Sequence, residues 1–111
     1  MKGVHEIRNL VQSNHADPSF CVKKLATLAG ISTSYLRECV HRNYRVSPHE
    51  LIEDYRLERA VSLLRSSSLP VEDVAVVSGF WSTKTFRRAF RRKYGCRPSD
   101  YRQGPDPATR K

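Results

Sequence analysis

The sequence predicts an all-α fold of about seven helices, in which two helix-turn-helix units are joined by a long central helix. Three observations predict it. One stretch of the chain recurs roughly half a chain-length later. Each copy carries apolar residues at helical spacing on either side of a turn that contains glycine. Between the copies, a capping motif opens a third and longer periodic run.

The repeat is read directly from the residues. Val22 to Ile31 aligns with Val71 to Phe80 at an offset of 49, and Ser32 to Tyr44 aligns with Ser82 to Tyr94 at an offset of 50. Trp81 is the one inserted residue, and Pro48 pairs with Pro98. Self-similarity at a fixed offset marks a duplicated structural unit.

Each element has its own signal. From Gly3 to about Asn14, Val4, Ile7, Leu10 and Val11 share one helical face, and Asp17-Pro18 ends the run. Val22, Leu25, Ala26 and Ala29 then follow the i, i+3, i+4, i+7 rule. Gly30 closes that helix because it tolerates positive φ, and Ser32 can cap the next one. Ala26 is small where two helices would cross closely. Leu36, Cys39 and Val40 form the back of the second helix. Ser47-Pro48-His49-Glu50 is a capping box with proline at the first helical position. A long helix runs from it to about Leu64, with Leu51, Tyr55, Leu57, Ala60, Val61 and Leu64 apolar, and the Ser66 to Pro70 stretch ends it. Ala75, Gly79 and Ser82 repeat the roles of Ala26, Gly30 and Ser32. Pro98 to Arg102 reads as a short final turn. The division expected is 1–46 for the first helix-turn-helix subdomain, 47–65 for the linking helix, 66–102 for the second subdomain and 103–111 for a disordered tail, all within one binding domain.

Charge narrows the function. The 111 residues hold 20 Lys and Arg against 11 Asp and Glu, a net charge of +9. Residues 1–64 hold 9 basic and 7 acidic side chains, whereas residues 65–111 hold 11 and 4. Between Trp81 and Pro98 there are seven basic residues and no acid. A solvated helix ordinarily mixes signs, since like charges at i, i+4 repel. Such a concentration, rich in arginine, points to a polyanionic partner. At 100° per residue, Arg87, Arg88 and Arg91 fall within about 60° of Lys84, with Phe86, Ala89 and Phe90 opposite. An apolar back and a cationic front suit a helix that a core presses into a DNA major groove. The equivalent front in the first copy, Ser34, Arg37, Glu38 and His41, is mixed in sign.

Other classes fall away. No apolar run nears the roughly 20 residues that span a bilayer, and no charged-then-apolar signal segment opens the chain. Cys21, Cys39 and Cys96 are odd in number and none lies at C-x-x-C spacing, so neither a metal site nor a cofactor is expected. Free thiols point to a reducing compartment, and the cytoplasm is the expected location. Without clustered carboxylates, a Cys/His pair or a phosphate-cradling glycine loop, no enzyme is expected. An RNA-binding module would want exposed aromatics interleaved with basic residues, but Phe86, Phe90 and Tyr94 tend to the back of their helix. A protein-interaction bundle is the second reading, and binding insensitive to salt would reveal it.

The pattern Leu25-Ala26…Gly30-Ile31-Ser32-x-x-Tyr35-Leu36, Ser47-Pro48…Arg56-Leu57-x-x-Ala60-x-x-Leu63-Leu64, Val74-Ala75…Gly79-Phe80-x-Ser82…Phe86-x-Arg88-x-Phe90-x-x-Lys93-x-Gly95-x-x-Pro98-Ser99-x-Tyr101-Arg102 resembles the DNA-binding domain of the AraC/XylS family of bacterial transcription regulators. The resemblance covers roughly residues 5–102. It implies seven helices, with one monomer reading two successive major-groove segments of a double-stranded promoter site. It also implies DNA-binding positions. In the first unit these are Thr33, Ser34, Arg37 and Glu38, with Tyr35 and His41 nearby. In the second they are Thr83, Lys84, Arg87 and Arg88, flanked by Ser82 and Thr85, while Arg91 and Arg92 look more like phosphate contacts. Glu38 stands where the family often has arginine. A brake on non-specific binding or a pair with Arg42 is the favoured role, and a cytosine contact is the alternative. Arg45-Val46 replaces a more usual glycine-led pair, and Cys21 and Pro70 stand where a capping hydroxyl or acid is common. Trp81 replaces a polar residue and is expected to pack on the turn, with DNA contact as the alternative. Such domains are usually attached to a sensing or dimerisation domain. The resemblance therefore leaves open RNA polymerase as a second partner and a dimer for a longer protein, with this stretch itself monomeric.

Overall fold

The computed structural model describes residues 4–103. Their helices are α1 (Val4–Asn14), α2 (Val22–Ala29), α3 (Thr33–Tyr44), α4 (Pro48–Ser66), α5 (Val71–Val77), α6 (Thr83–Tyr94) and α7 (Pro98–Gln103). Among the described residues there is no strand, in keeping with the all-α expectation. Gln103 closes α7, and the rest of the expected tail lies outside the described residues. The chain groups into two compact units, Met1–Arg56 and Leu57–Lys111, with the division falling inside α4.

In the first unit, α1, α2 and α3 pack on one another around Ile7, Val11, Phe20, Leu25, Ala26, Leu36 and Val40, joined by Leu51 and Ile52 from α4. In the second, α6 packs on α5 and α7 around Val74, Ala75, Phe80, Phe86, Ala89, Phe90 and Tyr101, with Leu57, Ala60 and Leu64 from α4. The repeat holds in the cores. Leu25 and Val74, Ala26 and Ala75, Leu36 and Phe86, Val40 and Phe90, and Leu51 and Tyr101 are paired positions, all buried. The second core is more aromatic. The Phe86 ring lies 5.1 Å from Phe80 and 5.7 Å from Phe90, and Phe90 meets Tyr101 edge-on at 5.6 Å, the tilted geometries that ring quadrupoles favour. Ile52 is buried although it is not among the apolar positions picked out for α4 in the sequence. The helix serves a different core in each half, so no one stripe runs its length. It also continues to Ser66, past the Leu64 expected from the sequence.

The two turns are built alike. Gly30 N–H donates to Thr27 O and Ile31 N–H to Ala26 O, and Gly79 and Phe80 make the equivalent bonds to Val76 O and Ala75 O. Both glycines have positive φ, 72° and 99°. The backward bond across five residues is the Schellman closure, which needs a residue that enters the left-handed region cheaply. Arg45 (φ 63°) and Gly95 (φ 76°) end α3 and α6 in that region at paired positions. Arginine there carries a strain of about 1 kcal/mol that glycine escapes. Cys21 and Pro70 give no side-chain cap to α2 and α5. At the start of α4, Ser47 and Glu50 form the expected reciprocal capping box at 3.1 Å. At the paired start of α7, Arg97 instead grips Asp100 with two bonds of 3.0 and 3.1 Å.

Each unit also fastens the loop that leads into its helix-turn-helix with one guanidinium. Arg56 donates from Nε to His15 O (2.8 Å) and from Nη2 to Asp17 O (3.0 Å) and Phe20 O (2.8 Å). Arg102 donates to Leu64 O, Ser67 O and Leu69 O. His15 and Phe20 are the repeat partners of Leu64 and Leu69, so the same two carbonyls are held in both copies. Burial pulls Arg56 below its ordinary pKa, partly offset by Asp17 and Glu53. Asp17 itself turns the loop by accepting from Ser19 N–H and Oγ, bonds that hold its carboxyl below the usual range.

Candidate nucleic-acid interface

Two capped helices carry the candidate residues. Ser32 Oγ accepts from Tyr35 N–H at 3.1 Å and opens α3, and Ser82 Oγ accepts from Thr85 N–H at 3.1 Å and opens α6. Each cap contributes about 1 kcal/mol and fixes where its helix begins. It therefore fixes which side chains ride on the first two turns.

On α6 the back is fully inside, with Phe86, Ala89 and Phe90 buried. The front is outside. Lys84, Thr85, Arg87, Arg88, Arg91 and Arg92 are all exposed, as is the capping Ser82, and Thr83 is half-buried. On α3, Leu36 and Val40 are buried while Ser34, Arg37, Glu38 and His41 are exposed, with Thr33 and Tyr35 half-buried. Within each unit the exposed predicted residues thus share one helix, with its cap, and its outward side, while Thr33, Tyr35 and Thr83 are partly covered. The Tyr35 phenol is raised above its ordinary pKa, chiefly by a hydrogen bond with Cys39.

Two acids alter the electrostatics read from the sequence. Glu72, in the first turn of α5, reaches across to Arg87, with Oε2 and Nη2 at 3.4 Å. The front of α6 is therefore not wholly cationic. The acid sits outside the Trp81 to Pro98 stretch, and only the packing of α5 on α6 brings it in. On α3, Glu38 lies 3.7 Å from Arg42 one turn on, the internal pair that is one of the two favoured readings, the other being a brake on non-specific binding. Both partners are well exposed, so each bridge is worth little, about 0.2–1 kcal/mol. A stronger competitor for either arginine can displace it. The cations Arg91, Arg92 and Lys93 also stand in the last turn of α6, where its dipole favours positive charge.

Trp81 corrects an expectation. It is 77% exposed and so does not pack on the turn. Ser78 takes the place that Ala29 has in the first copy, and its buried Oγ finds no hydrogen-bond partner among the described residues. The three cysteines are free thiols. Among the described residues no helix is long and apolar enough to cross a membrane.

A family model described as a helix-turn-helix domain matches residues 25–104. Regulatory protein SoxS of Escherichia coli K12 is 35% identical over 92 residues, 79% of this chain and 82% of that protein. The HTH-type transcriptional regulator ExsA of Pseudomonas aeruginosa is 36% identical over 77 residues, 69% of this chain but 28% of that protein. A probable AraC family transcriptional regulator from Rhodopseudomonas palustris is similar in structure at a TM-score of 0.78 and 27% identity, covering 90% of this chain and 94% of that one. The chain belongs to the AraC/XylS family. The DNA-binding domain of the global transcriptional factor AdpA, solved in complex with a target DNA, is similar in structure at a TM-score of 0.85 with 26% identity, over 93% of this chain and 92% of that one. Within the family frame, α2–α3 and α5–α6 are the two helix-turn-helix pairs. The chain spans most of SoxS and little more than a quarter of ExsA.

Proposed function

We propose that this chain is a double-stranded-DNA-binding domain of a bacterial transcription regulator, and that it binds as a reader rather than as an enzyme. The observation that carries the reading is α6. It is a serine-capped helix that follows a tight glycine turn, with a buried aromatic back and five exposed basic side chains on its first three turns, Lys84, Arg87, Arg88, Arg91 and Arg92. That combination matches what a recognition helix needs, namely a rigid mount and a front complementary to phosphates and guanine edges. The likeness to the AdpA domain, which was solved on its target DNA, supports the same reading.

In this reading α3 and α6 each enter a major groove. Lys84, Arg87 and Arg88, with Ser82, Thr83 and Thr85 beside them, meet base edges or the nearest phosphates, and Arg91 and Arg92 meet phosphates one turn later. Thr33, Ser34, Tyr35, Arg37, Glu38 and His41 form the first reading surface. Arg87 exchanges its exposed bond to Glu72 for a bond to an acceptor on a base edge. RNA polymerase as a second partner, a cytoplasmic location and a monomeric state for this chain belong to the same proposal.

The test is selection of bound sites from random duplex DNA with the wild type and with Arg87→Ala and Arg92→Ala. Arg87→Ala is expected to lose about 1–3 kcal/mol on the selected site and to relax its sequence preference. Arg92→Ala is expected to weaken all sequences about equally. Recovery of no preferred sequence by the wild type would refute the reading.

A further inference from the structure

We infer that Trp81 is a base-contacting residue of the second reading unit, and that its indole packs on the 5-methyl group of a thymine at the edge of the site met by the start of α6. The inference rests on the DNA-binding reading above and adds a residue and a base to it.

Three observations converge on Trp81. It is the only tryptophan of the chain and stands 77% exposed, although a large apolar side chain ordinarily gains by burial. It directly precedes Ser82, the cap that starts α6, and the N-terminal end of a reading helix is the end that meets base edges. It is also the single insertion that separates the second copy from the first. The other exposed large apolar side chains, Leu28, Val76 and Val77, all lie inside the first helix of a unit rather than beside a cap, Val76 at 61% and paired with Thr27 of the first copy. Val77, at 39%, has an exposed counterpart in Leu28, at 50%, so apolar exposure near the end of the first helix belongs to both copies. Trp81 has no counterpart, and it stands one residue before the cap of α6, the helix that carries the cationic front.

Chemistry then selects the occupant. In the major groove the thymine methyl is the apolar group on offer, and the other base edges present donors and acceptors. An indole seated on it buries its apolar faces and leaves Nε1–H free to donate to a phosphate or a base acceptor. The first unit, with no residue at this position, would lack that thymine preference, so the two halves of the site would differ in sequence.

The experiment uses the full chain and the duplex recovered by selection with the wild type. Tryptophan emission is followed during titration, while labelled DNA reports binding independently. The emission maximum is expected to shift to the blue or to be quenched as binding saturates. Each thymine of the selected site is then replaced by uracil, which lacks only the methyl. At one position the wild type is expected to weaken about fourfold, the equivalent of one buried methyl group. Trp81→Ala is expected to bind the thymine duplex about 5- to 20-fold more weakly than the wild type and to show no difference between thymine and uracil. Its thermal melt should be unchanged, because the side chain is exposed. DNA binding with unchanged emission, or equal uracil sensitivity in wild type and Trp81→Ala, would overturn the role of Trp81 and leave the DNA-binding reading standing. Failure to bind any duplex would remove both.

Discussion

Replacing Arg56 tests whether the entry loop of the first unit is held by a forked guanidinium. Three carbonyls depend on this side chain, and two of the three bonds, to His15 O and Phe20 O, are partly buried. The bond to Asp17 O is exposed, and water can replace it. Counting only the two sheltered bonds, at about 1.5–3 kcal/mol each for a charged donor, gives about 3–6 kcal/mol in gross terms. Water regained by the freed carbonyls reduces this, and Arg56→Ala is expected to cost about 2–4 kcal/mol. Arg56→Lys keeps the charge but offers a point donor in place of a fork, so about half of the loss should remain. Urea unfolding followed by circular dichroism reads the midpoint and slope, and amide exchange over α2 localises the effect to the loop and the helix it introduces. A lysine variant as stable as the wild type, or an alanine variant within about 0.5 kcal/mol of it, would refute the fork as the fastening.

The other substitutions probe single features. Ser78→Ala removes a buried hydroxyl without a partner and copies the residue at Ala29, so it should stabilise the second unit by about 1 kcal/mol in the same unfolding assay. A loss of stability would show that the hydroxyl is bonded in solution. Arg45→Gly relieves a positive φ that its partner Gly95 already accommodates, and the gain should be no more than about 1 kcal/mol, because glycine also loosens the unfolded chain. Destabilisation would mean that the arginine side chain does more than end a helix. Glu38→Ala frees Arg42 and removes a carboxylate from the front of α3, so non-specific affinity for duplex DNA should rise while the selected sequence stays the same. Loss of discrimination at a single cytosine pair would instead assign Glu38 a base contact.

Local order was legible in the residues. The helices, both glycine turns and both serine caps follow from short-range periodicity and from residue types with one strong conformational use. The outward placement of Lys84, Arg87, Arg88 and Arg91 followed because the buried Phe86 and Phe90 fix the rotation of α6. What the sequence hid is what packing creates. Glu72 meets Arg87 from another helix, fifteen positions away. Arg56 and Arg102 end on backbone carbonyls, which carry no residue signature. Ile52 is not among the apolar positions picked out for α4, a helix that feeds two cores. Trp81 ran against its own hydrophobicity, since a large indole was expected to cover the turn and instead stands in the open.

The most direct measurement of the central claim is the affinity of the full chain for its selected duplex as a function of salt. Seven basic residues between Trp81 and Pro98 are too many for base edges alone, so several must meet phosphates. With roughly 5–8 phosphates neutralised, at about 0.9 counterions released by each, log affinity should fall against log salt with a slope of about −4 to −7. A slope near zero would contradict DNA binding through this cationic face and would favour a partner bound without charge.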